Sequence, residues 1–333
     1  MAVNVAVVGV TGAVGQEFLT VLAERNFPIK NLKLLASSRS AGKKIDFKGK
    51  TYIVEELTKD SFKGVDIALF SAGGPISKEF GPIAVQAGAV VIDNSSAFRM
   101  KDGIPLVVPE VNPEAIKKHS GLIANPNCST IIMNVPVWPL YKANRIKRII
   151  VSTYQAVSGA GAWGLWELDD QIKAYATGQP IKKNKFPHQI VNNLFSHNSK
   201  VAENGYNEEE MKMVNETRKI FGDPKIMVTA TCVRVPVPRA HSESINLEFE
   251  RPITPQEVKA ILSKAPGITI IDDPANNHFP MPLEASNQDN VLAGRIRQDM
   301  SRDDGRGIDL FVAGDQIRKG AATNAVQIAE RII

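Results

Sequence analysis

The first third of the chain alternates short apolar runs with amphipathic or turn-forming stretches. Residues 3–8 form a β-branched run that is typical of a buried parallel strand, and a glycine turn and a helical pattern over 17–25 follow it. Further strands are predicted at 32–36, 65–71, 90–94, 106–108 and 122–124. Strands that alternate with helices or turns favour an α/β class, a doubly wound, Rossmann-type parallel sheet over residues 1–127.

The pattern changes after residue 127 to longer strands with more polar alternation. These strands are predicted at 148–156, 225–235, 242–250, 291–298 and 308–313. Such alternation is typical of a mostly antiparallel sheet with one exposed face, so we expect an α+β second domain. Between the strands, Thr254, Pro255 and Glu257 have the N-cap, N1 and N3 spacing of a capping box.

Two further segments complete the domain prediction. Residues 177–207 are rich in Gly, Asn, Lys and Pro and predict an irregular surface excursion. Residues 315–333 predict a helix, which we expect to return to the first domain. The predicted domains are therefore a dinucleotide-binding domain, 1–127 plus 315–333, and a catalytic and dimerisation domain, 128–314.

Composition narrows the class of protein. The chain has 333 residues, of which 43% are hydrophobic, and this is enough for two hydrophobic cores. Its net charge is +5, but the sequence contains no block of Lys and Arg interleaved with aromatic residues. We therefore predict no nucleic-acid partner, and the absence of an apolar run of ~18 residues predicts no membrane partner. Two distant cysteines make no disulfide framework, and the start lacks a signal-peptide pattern, so we expect a cytoplasmic protein.

The segment Gly9-Val10-Thr11-Gly12-Ala13-Val14-Gly15 lies between the first strand and the first helix. Glycines there let the backbone turn tightly and approach a pyrophosphate, which the N–H groups of a helix N-terminus stabilise. The spacing is G-x-x-G-x-x-G, and a plain strand–helix turn is the alternative. Its place in an N-terminal βαβ unit favours dinucleotide binding.

The second strand ends in a cationic, hydroxyl-rich turn. Ser37 to Ser40 include Arg39, and Lys43 and Lys44 follow. An NAD-specific fold usually has an acidic residue near this position, whereas cations and hydroxyls suit a 2′-phosphate. We prefer NADP over the alternative of a solvated basic loop.

Cys128 follows an Asn-Pro turn after the strand at 122–124 and precedes the apolar run 131–137. This predicts a thiol at a strand end and a helix N-terminus, where the helix dipole lowers the pKa of a thiol and favours the thiolate. Cys232, inside a strand-like run, fits the usual buried, inert cysteine. A thiolate nucleophile needs a proton-handling partner, and spacing does not choose among His119, His188, His197, His241 and His278.

The ordered motifs together resemble aspartate-semialdehyde dehydrogenase over essentially the whole chain. The segments that carry the resemblance are 11–15 (Thr-Gly-Ala-Val-Gly), 95–99 (Ser-Ser-Ala-Phe-Arg), 125–130 (Asn-Pro-Asn-Cys-Ser-Thr), 154–161 (Tyr-Gln-Ala-Val-Ser-Gly-Ala-Gly), 216–219 (Glu-Thr-Arg-Lys) and 233–242, from Val-Arg-Val-Pro-Val to His-Ser. The resemblance implies NADPH-dependent conversion of L-aspartyl 4-phosphate to L-aspartate 4-semialdehyde, an early step towards lysine, methionine and threonine.

The resemblance also implies roles for individual residues. Cys128 would form a thioester and expel phosphate, with His241 as the acid/base partner and Gln155 orienting the substrate. Arg234 would clamp the α-carboxylate, where a bidentate guanidinium is the natural choice. The remaining substrate contacts would come from Glu216 at the amino group and from Arg99 and Lys219 at the phosphate.

The implied cofactor is NADP, with no metal site. The residues that would contact it are Gly9, Thr11, Gly12, Ala13, Val14, Arg39, Ser40, Ser158, Gly159 and Gln316. The family also implies a homodimer or homotetramer joined through the sheet of the second domain, with a small-molecule substrate and phosphate as the other partners.

Two other classes compete with this interpretation. N-acetylglutamyl-phosphate reductase and glyceraldehyde-3-phosphate dehydrogenase also use a catalytic cysteine and histidine. The acetylated amine of the first substrate is uncharged, however, and would not need Glu216 as a ligand. The glycolytic enzyme has Ser-Cys-Thr-Thr-Asn, where this chain has Asn-Cys-Ser-Thr. A non-enzymatic dinucleotide sensor is the second alternative, and it predicts that Cys128 is an ordinary thiol.

Overall fold

The computed structural model describes residues 2–333, and the chain divides into two compact units. One consists of Met1–Asn127 with Ala321–Ile333, and the other of Cys128–Gly320. Residues 315–320, which the sequence analysis assigns to the first domain, lie in the second unit in this division. Among residues 2–333, no helix is both long and apolar enough to cross a bilayer.

The first unit contains a parallel sheet with helices packed against it. Its strands are β1 Val3–Val8, β2 Ile29–Ala36, β3 Lys44–Phe47, β4 Lys50–Ile53, β5 Glu55–Glu56, β6 Ile67–Phe70, β7 Val90–Asp93 and β8 Leu122–Ala124. Its helices are α1 Ala13–Glu24, α2 Gly74–Gln86 and the last helix of the chain, α8 Thr323–Glu330. The sheet order is β5-β2-β1-β6-β7-β8, with every pair parallel, and β3 and β4 form a separate hairpin.

Apolar side chains of β1, α1 and α8 share one core cluster in this unit. Because the central strands are covered, they are apolar along their length, as β6 shows with four buried residues. The doubly wound parallel sheet is therefore confirmed.

The predicted strand at 106–108 is wrong. Only a single bridge, from Leu106 to Ala124, forms there. Pro105 and Pro109 flank the segment and cannot donate ladder hydrogen bonds. The N–H of Val108 donates to Asn112 Oδ1 at 2.9 Å instead of to a strand, so the ladder stops after one bridge.

The second unit contains a larger mixed sheet. Its strands are β9 Ile146–Gln155, β10 Phe195–Ser196, β11 Met227–Arg234, β12 His241–Phe249, β13 Ile268–Ile270, β14 Val291–Gln298 and β15 Gly307–Gly314. Its helices are α3 Cys128–Ala143, α4 Ala162–Ala176, α5 Glu208–Phe221, α6 Pro255–Leu262 and α7 Pro282–Ala285. The order is β10-β11-β9-β12-β15-β14-β13. The predicted antiparallel character is confirmed, with the exceptions of the parallel pairs β9–β11 and β13–β14.

Helix starts follow local side-chain chemistry. The Thr254 hydroxyl accepts from the N–H of Glu257 at 3.2 Å, and the Glu257 carboxylate accepts from the N–H of Thr254 at 2.7 Å, which confirms the predicted capping box. The predicted helix at 315–333 begins later than expected. Asp315 accepts from the N–H groups of Ile317 and Arg318 at 2.9 Å each, a π-helical turn spans Arg318–Ala322, and α8 follows.

The excursion at 177–207 has little regular structure but is firmly anchored to α4. The buried Glu167 carboxylate accepts from the backbone N–H groups of Asn184 and Lys185. The side-chain oxygen of Gln171 accepts from those of Ile190 and Val191 at 2.9 and 3.1 Å. The excursion is therefore ordered by two buried polar side chains rather than by its own hydrogen-bond ladder.

Candidate active site

Three predicted site residues lie on neighbouring strands of the second unit. Arg234 at the end of β11 pairs in register with Gln155 at the end of β9, and His241 begins β12 on the other side of β9. All three side chains are buried. The structure thus places His241 at the start of a strand. The turn falls one residue earlier, at Ala240, which has a φ of 69°.

Cys128 is the first residue of α3, is partly exposed and is not part of a disulfide. The predicted helix N-terminal position is therefore confirmed. Gly320 of the same unit packs directly on it, because a Cβ atom added at Gly320 would lie 2.8 Å from Cys128 Cβ. Only glycine at this position leaves the Cys128 side chain where it is.

The Gln155 amide is held by two neighbours. Its Nε2 donates to Ser129 Oγ at 2.8 Å and to Glu209 Oε1 at 3.1 Å. Its Oε1 is buried and has no hydrogen-bond partner among residues 2–333. An oriented amide with an unsatisfied oxygen is suited to accept from a ligand donor.

The hydrogen bonding of His241 fixes its tautomer. Its Nδ1 accepts from the N–H of Ala156 at 3.0 Å, so the neutral ring carries its proton on Nε2, which is buried without a partner in the described part of the chain. Burial, and secondarily the charge of Arg234, lowers the pKa of His241 to about 3. At neutral pH, His241 therefore presents an Nε2–H donor rather than an imidazolium.

Gly159 leaves room beside this ring. A Cβ atom added there would lie 3.2 Å from His241 Cε1 and 3.1 Å from Arg234 Nη1. These distances are tighter than ordinary contacts. The glycine in the motif at 154–161 thus permits the close approach of backbone, imidazole and guanidinium.

Arg234 is oriented by two hydrogen bonds. Nη1 donates to Ala156 O at 2.7 Å, and Nη2 lies 2.8 Å from His197 Nε2. Its Nε is buried and lacks a partner among residues 2–333, and burial lowers the pKa of the guanidinium. A buried cation with an unused donor is suited to an anionic ligand.

Glu209 and Lys212, which the sequence analysis missed, complete this cluster on the first turns of α5. The two side chains form an ion pair at 2.9 Å, and Glu209 also accepts from Gln155. The predicted Glu216 and Lys219 lie seven residues further along the same helix, which corresponds to about 10 Å at ~1.5 Å per residue. The capping box that starts at Asn207 is the sequence signal that could have located the first turn of α5.

In the first unit, the predicted cofactor turn has the geometry of a phosphate-binding loop. Gly9 has a φ of 83°, and a Cβ atom there would lie 2.3 Å from Ser71 O, while one at Gly15 would lie 2.2 Å from Gly9 O. Gly12 is the N-cap of α1 and has no side chain to occupy the N–H groups of the first turn, where Ala13 and Val14 lie. These N–H groups are suited to a pyrophosphate.

The end of β2 lies beside this turn. Thr11 Oγ1 donates to Ser40 Oγ at 3.5 Å, and Ser40 closes a 3₁₀ turn, Ser38–Ser40, that exposes Arg39. The hydroxyl and the cation predicted for the 2′-phosphate are thus brought next to the glycine turn within one unit.

Arg99, also in the first unit, is bound to backbone carbonyls. Its Nε donates to Asn125 O at 2.9 Å and its Nη2 to Asn94 O at 2.8 Å. Asn125 precedes Cys128 by three residues in the chain. The guanidinium therefore braces the segment that leads to the thiol.

Ser158 and Gln316 contact each other in the second unit. Gln316 Nε2 donates to Ser158 Oγ, and its Oε1 accepts from the N–H of Ala240 at 2.8 Å. The Gln316 amide thus connects Ser158 with the turn before His241, a bracing role that the sequence analysis did not anticipate.

Each of the two units matches a known protein-family model. Residues 4–119 match a family model described as "Semialdehyde dehydrogenase, NAD binding domain", and residues 137–319 match "Semialdehyde dehydrogenase, dimerisation domain". The fold and the site thus define a nucleotide-binding semialdehyde dehydrogenase.

Full-length relatives narrow this class. The chain is 53% identical to the aspartate-semialdehyde dehydrogenase of Synechocystis over 99% of its length and 97% of the relative. It is 55% identical to that of Aquifex aeolicus over 100% and 98%. The chain belongs to the aspartate-semialdehyde dehydrogenase family.

Solved structures show the same fold. Aspartate semialdehyde dehydrogenase II of Vibrio cholerae, complexed with ASA, superposes with a TM-score of 0.97 at 50% identity, covering 100% of this chain and 98% of that one. The Candida albicans enzyme with NADP gives 0.76 at 26% identity, covering 100% and 98%.

Proposed function

We propose that this protein catalyses the NADPH-dependent reductive dephosphorylation of L-aspartyl 4-phosphate to L-aspartate 4-semialdehyde through a thioester on Cys128. One observation carries the proposal. Three neighbouring side chains of the second unit each keep one buried polar atom without a partner among residues 2–333: Gln155 Oε1, His241 Nε2 and Arg234 Nε. Buried polar atoms usually have a protein, water or ligand partner, and three such atoms at adjacent strand ends favour a ligand.

Cys128 forms the covalent bond in this mechanism. Its thiolate attacks the carbonyl carbon of the acyl phosphate. The bond between that carbon and the bridging phosphate oxygen breaks, and inorganic phosphate leaves with the electron pair of that bond. NADPH supplies the hydride that reduces the resulting thioester. When the C–S bond then breaks, the aldehyde is released and Cys128 regains the thiolate that the helix N-terminus favours.

His241 acts in this scheme as a hydrogen-bond donor. Its Nδ1 is occupied by the N–H of Ala156, and its ring is neutral at working pH, so Nε2–H is the group available to the developing oxyanion. The resemblance implies an acid/base role for His241, and we propose instead that it donates a hydrogen bond to the oxyanion. Gln155 orients the substrate through its free oxygen.

The charges of the substrate match the charges of the site. Arg234 binds the α-carboxylate through its unused Nε. We assign the ammonium group to Glu209 rather than Glu216, because Glu209 contacts Gln155. Lys212, paired with Glu209, replaces Lys219 as the phosphate ligand of the second unit. The phosphate role of Arg99, which lies in the first unit, stays a prediction from the resemblance.

NADP is the cofactor that the first unit fits. Gly9, Gly12 and the first turn of α1 offer a pyrophosphate site, and Arg39 with Ser40 offers ligands for the 2′-phosphate. The neighbouring enzyme from Candida albicans is described with NADP, which supports this assignment.

The proposal extends to assembly and location. The match to a dimerisation domain over residues 137–319 supports a homodimer joined through the second unit. A cytoplasmic location fits a nucleophile that must remain a reduced thiol.

The test is NADP reduction by purified protein supplied with L-aspartate semialdehyde and phosphate. We expect phosphate-dependent NADPH formation that Cys128→Ala abolishes, while Cys232→Ala, a matched change at the other cysteine, keeps at least half the rate. If the protein reduced NADP with N-acetylglutamate semialdehyde but not with aspartate semialdehyde, the substrate assignment would be wrong. The protein would then be the alternative reductase. Full activity in Cys128→Ala would refute the thioester.

A further inference from the structure

The excursion at 177–207 contributes an edge strand beside Arg234. β10 pairs antiparallel with β11, placing Phe195 opposite Arg234. The next residue after β10, His197, donates its backbone N–H to Cys232 O at 2.8 Å. The segment predicted as a surface excursion is therefore built onto the strand that carries the proposed carboxylate ligand.

The side chain of His197 meets the guanidinium directly. Its Nε2 lies 2.8 Å from Arg234 Nη2. Arginine only donates, so Nε2 must accept and the proton of the neutral ring is on Nδ1. Nδ1 then donates to Ser199 Oγ at 3.1 Å, and it does not accept from the Ser199 backbone N–H, which lies 3.3 Å away. Burial is the main cause that lowers the pKa of His197 to about 4, with Arg234 and Lys212 lowering it and Glu209 raising it, so the ring stays a neutral acceptor at neutral pH.

The hydrogen bonds continue from His197 to the start of α5. Ser199 Oγ lies 3.3 Å from Asn207 Oδ1 and accepts from the N–H of Glu209 at 3.2 Å. Asn207 is the N-cap of α5. One chain of polar contacts thus connects the proposed carboxylate ligand, Arg234, with the helix turn that carries the proposed ammonium ligand, Glu209.

We propose that His197 is a positioning residue, which accepts from Arg234 Nη2 and so fixes the guanidinium plane with Nε open to the α-carboxylate of the substrate. This inference rests on the proposed function. The guanidinium is also held by the hydrogen bond from Nη1 to Ala156 O, and the Phe186 ring lies 5.9 Å away. One remaining hydrogen bond fixes the position of Nη1 but not the plane of the guanidinium. Loss of the His197 imidazole therefore lets the guanidinium of Arg234 rotate.

The test compares His197→Ala with His197→Gln in the phosphate-dependent assay. We expect His197→Ala to raise the KM for aspartate semialdehyde about tenfold, the scale of one hydrogen bond to a charged group, with kcat within about threefold of wild type. His197→Gln restores an acceptor oxygen and should return KM to within about threefold of wild type. His188→Ala, at an exposed histidine of the same excursion, is the matched control and should match wild type.

A second substrate separates positioning from general damage to the fold. 3-Aminopropanal keeps the amino and aldehyde groups but lacks the carboxylate, so His197→Ala should change its kcat/KM by less than about twofold. An unchanged KM for aspartate semialdehyde in His197→Ala, or equal losses with both aldehydes, would overturn the inference. Failure of the proposed function is distinguishable, because the wild-type protein would then be inactive in the same assay.

Discussion

Glu243 is a fully buried carboxyl group that has no role in the proposed reaction. It lies on β12 two residues after His241, opposite Thr153 of β9, and its side chain is fully buried. Neither carboxyl oxygen has a hydrogen-bond partner among residues 2–333. Burial alone raises its pKa well above the ordinary 4.5, so the native state holds a neutral carboxylic acid there.

Glu243→Gln keeps the shape of the neutral acid and removes the titration. The folded state holds the proton more tightly than the unfolded state, so the associated stability is complete below pH 4.5 and declines as pH rises towards the folded-state pKa. In that window the wild type loses about 1.4 kcal/mol per pH unit relative to the variant. For a unit the size of Cys128–Gly320, this corresponds to about 3 °C per pH unit in the thermal midpoint.

The assay is thermal unfolding of wild type and Glu243→Gln from pH 5 to 7 at constant ionic strength. We expect the difference in midpoint to grow steadily in favour of the variant as pH rises. Glu203→Gln, at an exposed carboxylate, is the control and should run parallel to wild type. Parallel curves for Glu243→Gln and wild type would show that this carboxyl is not held neutral, and the argument from burial would be refuted.

Three further outcomes follow from the site. Iodoacetamide should modify native Cys128 with an apparent pKa below the reference of ~8.5, while Cys232, whose pKa burial raises, should react only after unfolding; equal labelling of both would favour an ordinary thiol. Gly320→Ala should lower kcat about tenfold to a hundredfold with little change in circular dichroism, because its Cβ displaces Cys128; unchanged kcat would contradict the 2.8 Å contact. Arg39→Ser should raise the KM for NADPH about tenfold and leave that for NADH unchanged, and equal effects on both would remove Arg39 from the 2′-phosphate site.

Local signals in the sequence predicted the elements best. The capping box at Thr254 fixes a helix start through contacts within three residues, and it formed as predicted. The position of Cys128 at the first turn of α3 was equally local, because an Asn-Pro turn between a strand and an apolar run leaves few alternatives. Where proline interrupts an apolar run, as at Pro105 and Pro109, hydrophobicity alone predicted a strand that does not form.

The other residues of the proposed site were less accessible to sequence reasoning because tertiary contacts select them. Glu209–Lys212 and Glu216–Lys219 have the same i,i+3 spacing on one helix, and nothing in that spacing shows which pair faces Gln155. Five histidines were equivalent by spacing, and strand register brings two of them, His197 and His241, to Arg234 and Ala156. Register depends on pairing across long sequence separations, which composition and periodicity do not encode.

The arrangement explains why one sheet edge can serve a substrate with three charged groups. Arg234, Gln155 and His241 are held on adjacent strands whose spacing is set by backbone hydrogen bonds, about 4.8 Å apart. Each keeps one buried polar atom unsatisfied, and each unsatisfied atom costs about 1–3 kcal/mol in the free protein. In the proposed function, the substrate offsets that cost at all three positions, because it supplies an anion to Arg234, a donor to Gln155 and an oxyanion to His241. A ligand that lacks one of these groups would leave one of the three atoms to water, and the rigid sheet would then favour the substrate that pairs with all three.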